Sequence, residues 1–557
     1  MNLASMWEAV ADRLPDKTAQ VHGDHRVVFR EFESRAARLA GCFSAQGVGA
    51  GAKVAMYLFN CNEYLETCFA AMKLCAVQVN VNYRYLADEL HYLVENSEAE
   101  VLVYHGALAE RVQAVRDRLP NLKLLIQVET TDEDRVPLLE GAVAYEQAIR
   151  GSAPAPRQER SPDEFVFLYT GGTTGLPKGV MWKHKQLFAQ LAASYAPLGG
   201  FVPSTVDEVG DAAVKLEALD ANGPGLAAAP LMHGMAWFSS MGKLMTGGTV
   251  VSLTDRSFDP HEFWRDVQRN RVFTATIVGD AFARPLVRAL IEAEERGEPY
   301  DLSSLMVVVS GGVMWTPAFK KPFLERGVGM VIDGLGSSEA TGTGMMISTA
   351  GQDLETAKFQ LSPNTKVLKE DGTEVAPGSG DVGVLAISGD AVPDGYYRDE
   401  KKTADTFRMI GGKRYAVPGD YARIEADGSI TLLGRGSVCI NTGGEKVYPE
   451  EVEEVLKLHD AVDDCTVVGI PDEKWGQAIT GVVALALGKG ITPAELVEHC
   501  KGRLSAYKAP KHIIVVDRIL RSPAGKADYR WAQDLAKQRL GGLLQDYPPS
   551  GPTEETS

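Results

Sequence analysis

A chain of 557 residues is too long for one hydrophobic core and predicts two to four domains or subdomains. Its 45% hydrophobic and 24% charged content is that of an ordinary soluble globular protein. A formal net charge of -17, with no basic run, argues against a nucleic-acid partner.

The first apolar runs alternate with longer amphipathic stretches. Residues 53–60, 101–105, 123–128, 165–170, 249–253, 274–280 and 305–312 read as buried strands, and 261–270 as a helix between two of them. This alternation predicts α/β layers with mostly parallel sheets, whose ligands sit where strands end in Gly, Asp or Ser. Cys61, Cys68 and Cys75 recur every seven residues, as along a helix face, and read as small buried hydrophobes. Residues 202–224 read as an irregular acidic surface insertion. After Gly380 the texture changes to hairpins, giving a β-rich subdomain, and from about Cys439 a smaller α+β unit follows. The expected division is a large domain over 1–435, a small one over 436–545, and a disordered polar tail over 546–557.

None of the seven cysteines forms a C-x-x-C pair, so neither zinc nor a disulfide framework is suggested. The N-terminus lacks the apolar region of a signal peptide, and no segment reaches the ~18 apolar residues of a membrane span. A cytoplasmic protein without an integral membrane segment is expected, with a homodimer left open.

Four segments carry the chemistry. LYTGGTTGLPKGV (168–180) crowds small residues and hydroxyls before a lysine, as an anion-binding loop does. It is not the common P-loop, because Lys178 is followed by Gly179 rather than Ser or Thr. VIDGLGSSEATG (331–342) sets Glu339 beside a glycine turn at a strand end, where a carboxylate suits Mg²⁺ shared with phosphate oxygens. VPGDYARIEADGSITLLGR (417–435) offers Asp420 as an acceptor for ribose hydroxyls, and RSPAGKADYRW (521–531) holds Lys526 in a turn. Taken singly, each is a loop acid, a turn residue or a surface lysine. A G-x-G-x-x-G at Gly378, Gly380 and Gly383 follows Pro377 and runs into a strand, so it is a turn and not a dinucleotide fingerprint.

In this order the four segments resemble the adenylate-forming superfamily of acyl-CoA synthetases, adenylation domains and luciferases, over essentially the whole chain. GGTTGLPKGVMWKH and GRGSVCINTGGEKVYPEEVEEVL look most like bacterial fatty-acyl and steroid-side-chain acyl-CoA synthetases. The resemblance implies a reaction in which ATP converts a carboxylate to an acyl-adenylate with loss of pyrophosphate, after which the thiol of CoA displaces AMP. Forcing two anions together needs electrostatic screening more than acid–base groups.

It also implies roles for individual residues. Thr170, Gly172, Thr173, Thr174, Gly175 and Lys178 would hold the β- and γ-phosphates, Ser338 would contact the α-phosphate, and Glu339 would carry Mg²⁺. Ser310, Gly311, Gly312, Asp333 and Gly334 would line the adenine pocket, and Asp420 and Arg435 would hold the ribose. Lys526 would bridge the substrate carboxylate and the α-phosphate. Ser437 matches the pivot of the small domain, and Gly443, Gly444, Glu445 and Lys446 the loop lining the CoA tunnel. His233 would lie beside the acyl group and the thiol. Met232, Met235, Trp237, Gly279 and Met314 suggest an apolar acyl pocket for a medium- or long-chain fatty acid or a steroid side-chain acid. Three positions depart from the family pattern: Gly171 replaces a common serine, Leu335 an adenine-stacking tyrosine, and Ser437 the usual Asp or Lys. Transfer to a carrier protein, an aryl acid as substrate, and a non-catalytic nucleotide-binding homologue are the alternatives.

Overall fold

The computed structural model describes residues 1–129, 136–170, 176–313, 315–442, 445–472, 475–504, 506–521 and 525–540, with Arg435, Ser437, Glu445 and Lys446 described through their backbone alone. The backbone divides into two compact units, 1–418 with 424–430, and 419–423 with 431 onward. The hairpin ends that carry Asp420 and Arg435 thus group with the smaller unit.

In the larger unit the apolar, β-branched runs form two sheets. In the first, Thr18–His22, Val250–Ser252, Gly225–Ala227, Thr274–Ile277, Val307–Gly311 and Met330–Leu335 run parallel, and Gly344–Ser348 continues antiparallel. In the second, Ala142–Ala144, Leu124–Val128, Ala99–His105, Lys53–Tyr57, Val77–Asn80 and Phe165–Thr170 run parallel. Phe165–Thr170 then turns back as the antiparallel hairpin with Lys178–Lys183. The helix Asn62–Lys73 is buried along nearly its whole length, which explains why its sequence shows little amphipathic contrast. Of the three regularly spaced cysteines only Cys68 lies in that helix; Cys61 precedes it and Cys75 follows it at φ 57°. Thr365–Leu368, Val382–Ser388, Lys413–Ala416 and Phe407–Ile410 make an antiparallel group. Gly378 and Gly380 sit in its turn at φ 70° and 79°, where the sequence placed a turn.

One expectation fails. Residues 202–224 are not irregular: Val206–Ala218 is a helix capped by the Thr205 side chain, which accepts from the Glu208 N–H. Val209, Ala212, Ala213 and Leu216 are buried at helical spacing, with Arg13 paired to Asp211 and Lys17 to Glu217. The helix packs on the N-terminal helix Leu3–Arg13. The dense acidic residues of its outer face masked a four-residue apolar stripe in the sequence.

In the smaller unit the long hairpin Val462–Asp472 and Gly476–Leu485 is flanked by His512–Val516, running parallel, and by Ile440–Thr442 with Glu445–Val447. Pro449–Lys457, Pro493–Lys501 and Tyr529–Leu540 are its helices. Among the described residues no helix is long and apolar enough to cross a membrane.

Candidate active site

The expected adenine-lining residues stand side by side at the C-terminal ends of two parallel strands, next to a third that ends at Ile277. Ile277 pairs with Ser310, Ser310 with Asp333, and Gly311 with Gly334. Gly279, at φ 48°, opens the helix after the first of these strands, and its N–H donates to Ser310 Oγ at 2.8 Å. A Cβ on Gly311 would lie 2.8 Å from Met235 Cε and 3.0 Å from the Gly334 carbonyl, so a side chain there would have to displace the methionine and crowd that carbonyl. Gly312, at φ 84°, has nothing within 4 Å of such a Cβ and faces open space. In open α/β sheets ligands bind beyond such strand ends.

Asp333 uses its carboxylate elsewhere. It meets Lys320 at 3.2 Å, with side chains only 6% and 1% exposed. Burial raises its carboxyl to about 6, against the lowering effect of Lys320.

The phosphate-type segment is flanked by the two paired strands of the second sheet's hairpin. Thr170 ends one strand, Lys178 begins the next, and the two pair directly. A Cβ on Gly179 would strike the Tyr169 ring at 2.6 Å, so the glycine after the lysine is a packing requirement. Gly172, Thr173, Thr174 and Gly175 lie outside the described residues, as do Met314, Gly443 and Gly444.

The Trp182 indole N–H in this hairpin donates to the Ser338 carbonyl at 3.0 Å, joining it to the GLGSSE turn. That turn closes on itself through paired backbone bonds between Ser337 and Ala340. The Glu339 carboxylate accepts from the Tyr396 hydroxyl at 2.8 Å, and Lys178 pairs with Asp399. The strand Gly395–Tyr396 lies antiparallel on the strand of Lys178, pairing Tyr396 with Val180. Trp182, Tyr396 and Asp399 are site residues that the sequence reading missed. The signal for Tyr396 and Asp399 is DGYYRDE, two tyrosines before an acid, more than 200 positions beyond Lys178.

His233 precedes the helix Gly234–Met245, and its carbonyl accepts from Trp237 N–H. A Cβ on Gly234 would come within 3.9 Å of Ser338 Oγ, so the histidine's turn abuts the GLGSSE turn. Met232 is buried, with its carbonyl accepting from Asn80 at 2.6 Å and its sulfur from the Tyr83 N–H at 3.3 Å. Met235 borders Gly311, whereas Trp237 is sealed in the core at 1% exposure against Phe238.

In the smaller unit Asp420 begins one strand of a hairpin and Arg435 ends the other. The Gly436 N–H donates to the Gly419 carbonyl at 3.0 Å, closing the open end and setting the two residues next to each other along the backbone. Lys526 is exposed and follows Gly525, at φ 69°. Its turn is held by Arg521, which donates to the Gly525 carbonyl at 3.0 Å and to the Asp464 carboxylate through two bonds of 2.6 Å. Arg521, five residues before the lysine, is a further residue that the sequence reading left without a role.

The AMP-binding enzyme family model matches residues 7–397, and that of the AMP-binding enzyme C-terminal domain matches 451–526. This chain belongs to the AMP-binding enzyme family. It is 42% identical over 542 residues to 3-oxocholest-4-en-26-oate–CoA ligase of Rhodococcus rhodochrous, covering 96% of each chain. It is 41% identical over 543 residues to the medium/long-chain-fatty-acid–CoA/3-oxocholest-4-en-26-oate–CoA ligase of Mycolicibacterium smegmatis, covering 97% of each. The anthranilate CoA ligase AuaEII in complex with anthranoyl-AMP shares the fold, with a TM-score of 0.82 at 21% identity over 97% of this chain and 98% of that one. ATP-bound MatB from Rhodopseudomonas palustris does so with a TM-score of 0.79 at 23% identity, over 97% of this chain and 100% of that one.

The Lys320–Asp333 pair gives a pH-dependent prediction. A carboxyl raised to about 6 in the folded state contributes stability that is fully present below the unfolded value of about 3.9 and is lost as pH rises through about 6. Lys320 offsets that loss while Asp333 is ionised. Lys320→Met is therefore expected to lower stability by about 3–5 kcal/mol at pH 7.5 and by clearly less at pH 5, measured by denaturant melts. Equal losses at both pH values would contradict the assignment.

Proposed function

We propose that this protein is an ATP-dependent carboxylic acid:CoA ligase that works through an acyl-adenylate and acts on a medium- or long-chain fatty acid or a steroid side-chain acid. What supports the reading is that the hairpin of Lys178 is tied to the GLGSSE turn of Ser338 and Glu339 through Trp182 and Tyr396, and that this turn follows the strand ends of Ser310, Gly311 and Gly334. A cation and an acid tied to glycine-lined strand ends suit a nucleoside triphosphate. The relatives at 41–42% identity support the choice of acid, and so do the apolar side chains of Met232 and Met235 near His233.

In the first half-reaction a substrate carboxylate oxygen attacks the α-phosphorus while the bond to the leaving pyrophosphate breaks. Lys178 and Thr170 hold the leaving phosphates, and the Ser338 hydroxyl donates to the α-phosphate. Gly311 and Gly312 let the adenine lie close to the backbone, and Asp420 and Arg435 hold the ribose. Glu339, whose carboxylate accepts from the Tyr396 hydroxyl, would hold Mg²⁺ together with phosphate oxygens of the nucleotide, a donor set that suits this ion. Bound there, the metal would supply positive charge against the triphosphate. Lys526, in a turn braced by Arg521, neutralises the carboxylate as it meets the phosphate.

In the second half-reaction the CoA thiolate attacks the acyl carbonyl and AMP leaves. The segment of Gly443, Gly444, Glu445 and Lys446 lines the path of the thiol, His233 borders the acyl group, and Ser437 is the pivot of the smaller unit. Lys526 has no part in this step.

The direct test incubates the protein with ATP, magnesium and CoA against a panel of fatty, aryl and steroid acids, with thioesters read by mass spectrometry. Fatty or steroid thioesters are expected, and a panel yielding adenylates but no thioester would refute CoA as acceptor. Lys526→Ala is expected to cut acid-dependent pyrophosphate release by about 10²–10³-fold while leaving thioester formation from supplied acyl-AMP largely intact. Parallel loss of both half-reactions would count against its role. Glu339→Ala should raise the magnesium needed for half-maximal rate by at least about tenfold, and an unchanged magnesium dependence would remove its metal role.

A further inference from the structure

The segment 394–399 crosses the strand of Lys178 and holds the charged groups on either side of it. Its own anchorage is independent of the lysine. The Asp394 and Tyr397 N–H groups donate to the Met181 and Gly179 carbonyls at 2.9 and 2.8 Å. Gln186 donates to the Asp394 carboxylate at 2.7 Å, and the Tyr397 hydroxyl to Glu98. Asp399 is fixed in turn by capping the helix Glu400–Thr406, accepting from the Lys402 N–H at 2.9 Å. Its second carboxylate oxygen takes the Lys178 ammonium. That hydrogen bond first, and the capping bond second, hold the Asp399 carboxyl below the usual carboxylate range.

The acid is therefore held by its helix cap as well as by the lysine, while the lysine sits at the end of a flexible four-carbon stem. The pair is also accessible to solutes, with side chains 37% and 29% exposed. A partly exposed pair of this kind is weak enough for a competing anion to open.

We propose that Asp399 is a resident counter-ion that occupies Lys178 when no polyphosphate is bound and competes with the pyrophosphate group for it, so that pyrophosphate is held weakly enough to leave. The proposal rests on the assignment of Lys178 to the leaving phosphates. It makes Asp399 a positioning residue, acting through Lys178.

Asp399→Asn removes the charge and keeps an equally good helix cap. Magnesium pyrophosphate, with AMP as control, is titrated calorimetrically into the wild-type protein, Asp399→Asn, Lys178→Ala and the double variant. Asp399→Asn is expected to bind pyrophosphate about two- to fivefold more tightly with AMP affinity unchanged, the gain that loss of one partly exposed pair allows. Lys178→Ala should bind it more weakly, and adding Asp399→Asn to Lys178→Ala should change nothing further. If Lys178→Ala weakens pyrophosphate binding but Asp399→Asn does not tighten it, the counter-ion role is overturned and the Lys178 assignment stands. If Lys178→Ala binds pyrophosphate as the wild type does, the Lys178 assignment itself falls. Asp399→Ser, which also caps, replaces the Asn variant if that protein fails to fold, with the same expectation.

Discussion

One hydrogen bond, from the Trp182 indole to the Ser338 carbonyl, joins the loop systems of two separate sheets. The first sheet supplies the strand ends of Ser310, Gly311 and Gly334 and the GLGSSE turn that follows them. The second supplies Thr170 and Lys178, at the mouth of a hairpin. Neither sheet alone carries both the glycine-lined strand ends and the lysine that the proposed reaction uses. Trp182 is fully buried, so its N–H needs a protein partner, and satisfying it fixes the hairpin against the turn.

The electrostatics of the site follow from that junction. Glu339 and Lys178 carry opposite charges close together, yet each has its own partner: Tyr396 for the acid and Asp399 for the lysine. Both partners belong to one short segment laid across the hairpin strand. A site that must accept a polyanion gains from separate supports, because an acid and a lysine paired only to each other would have to be pulled apart first. The buried Lys320–Asp333 pair works differently, holding the strand of Asp333 against the helix Pro317–Glu325.

Much of the architecture was legible in the residues. Buried parallel strands such as Phe165–Thr170 and Val307–Gly311 are continuous apolar runs, because both faces are covered. The glycine-rich turns announced the strand ends that matter. What stayed hidden had a physical reason in each case. The helix Val206–Ala218 conceals a narrow apolar stripe under acidic residues. Trp237 reads as pocket lining but is core, since an apolar side chain serves either place equally well. Asp333 lies in a motif associated with the nucleotide, yet its carboxylate faces Lys320, and the side-chain alternation of its strand sets that direction.

The sequence by itself determined the fold class, the order of the four chemical segments, and the residue types the reaction calls for: a lysine after a glycine-threonine run, the acid that ends GLGSSE, an aspartate in GDYARI and a lysine in SPAGK. These are local patterns, readable because backbone conformation and charge type depend on neighbouring residues. Only the tertiary structure decided which groups hold those residues in place. Tyr396 and Asp399 lie 57 positions from Glu339 and 221 from Lys178 along the chain. Their contacts exist because a strand of two residues adds to the edge of a sheet, and no local pattern specifies which distant edge a short strand will join.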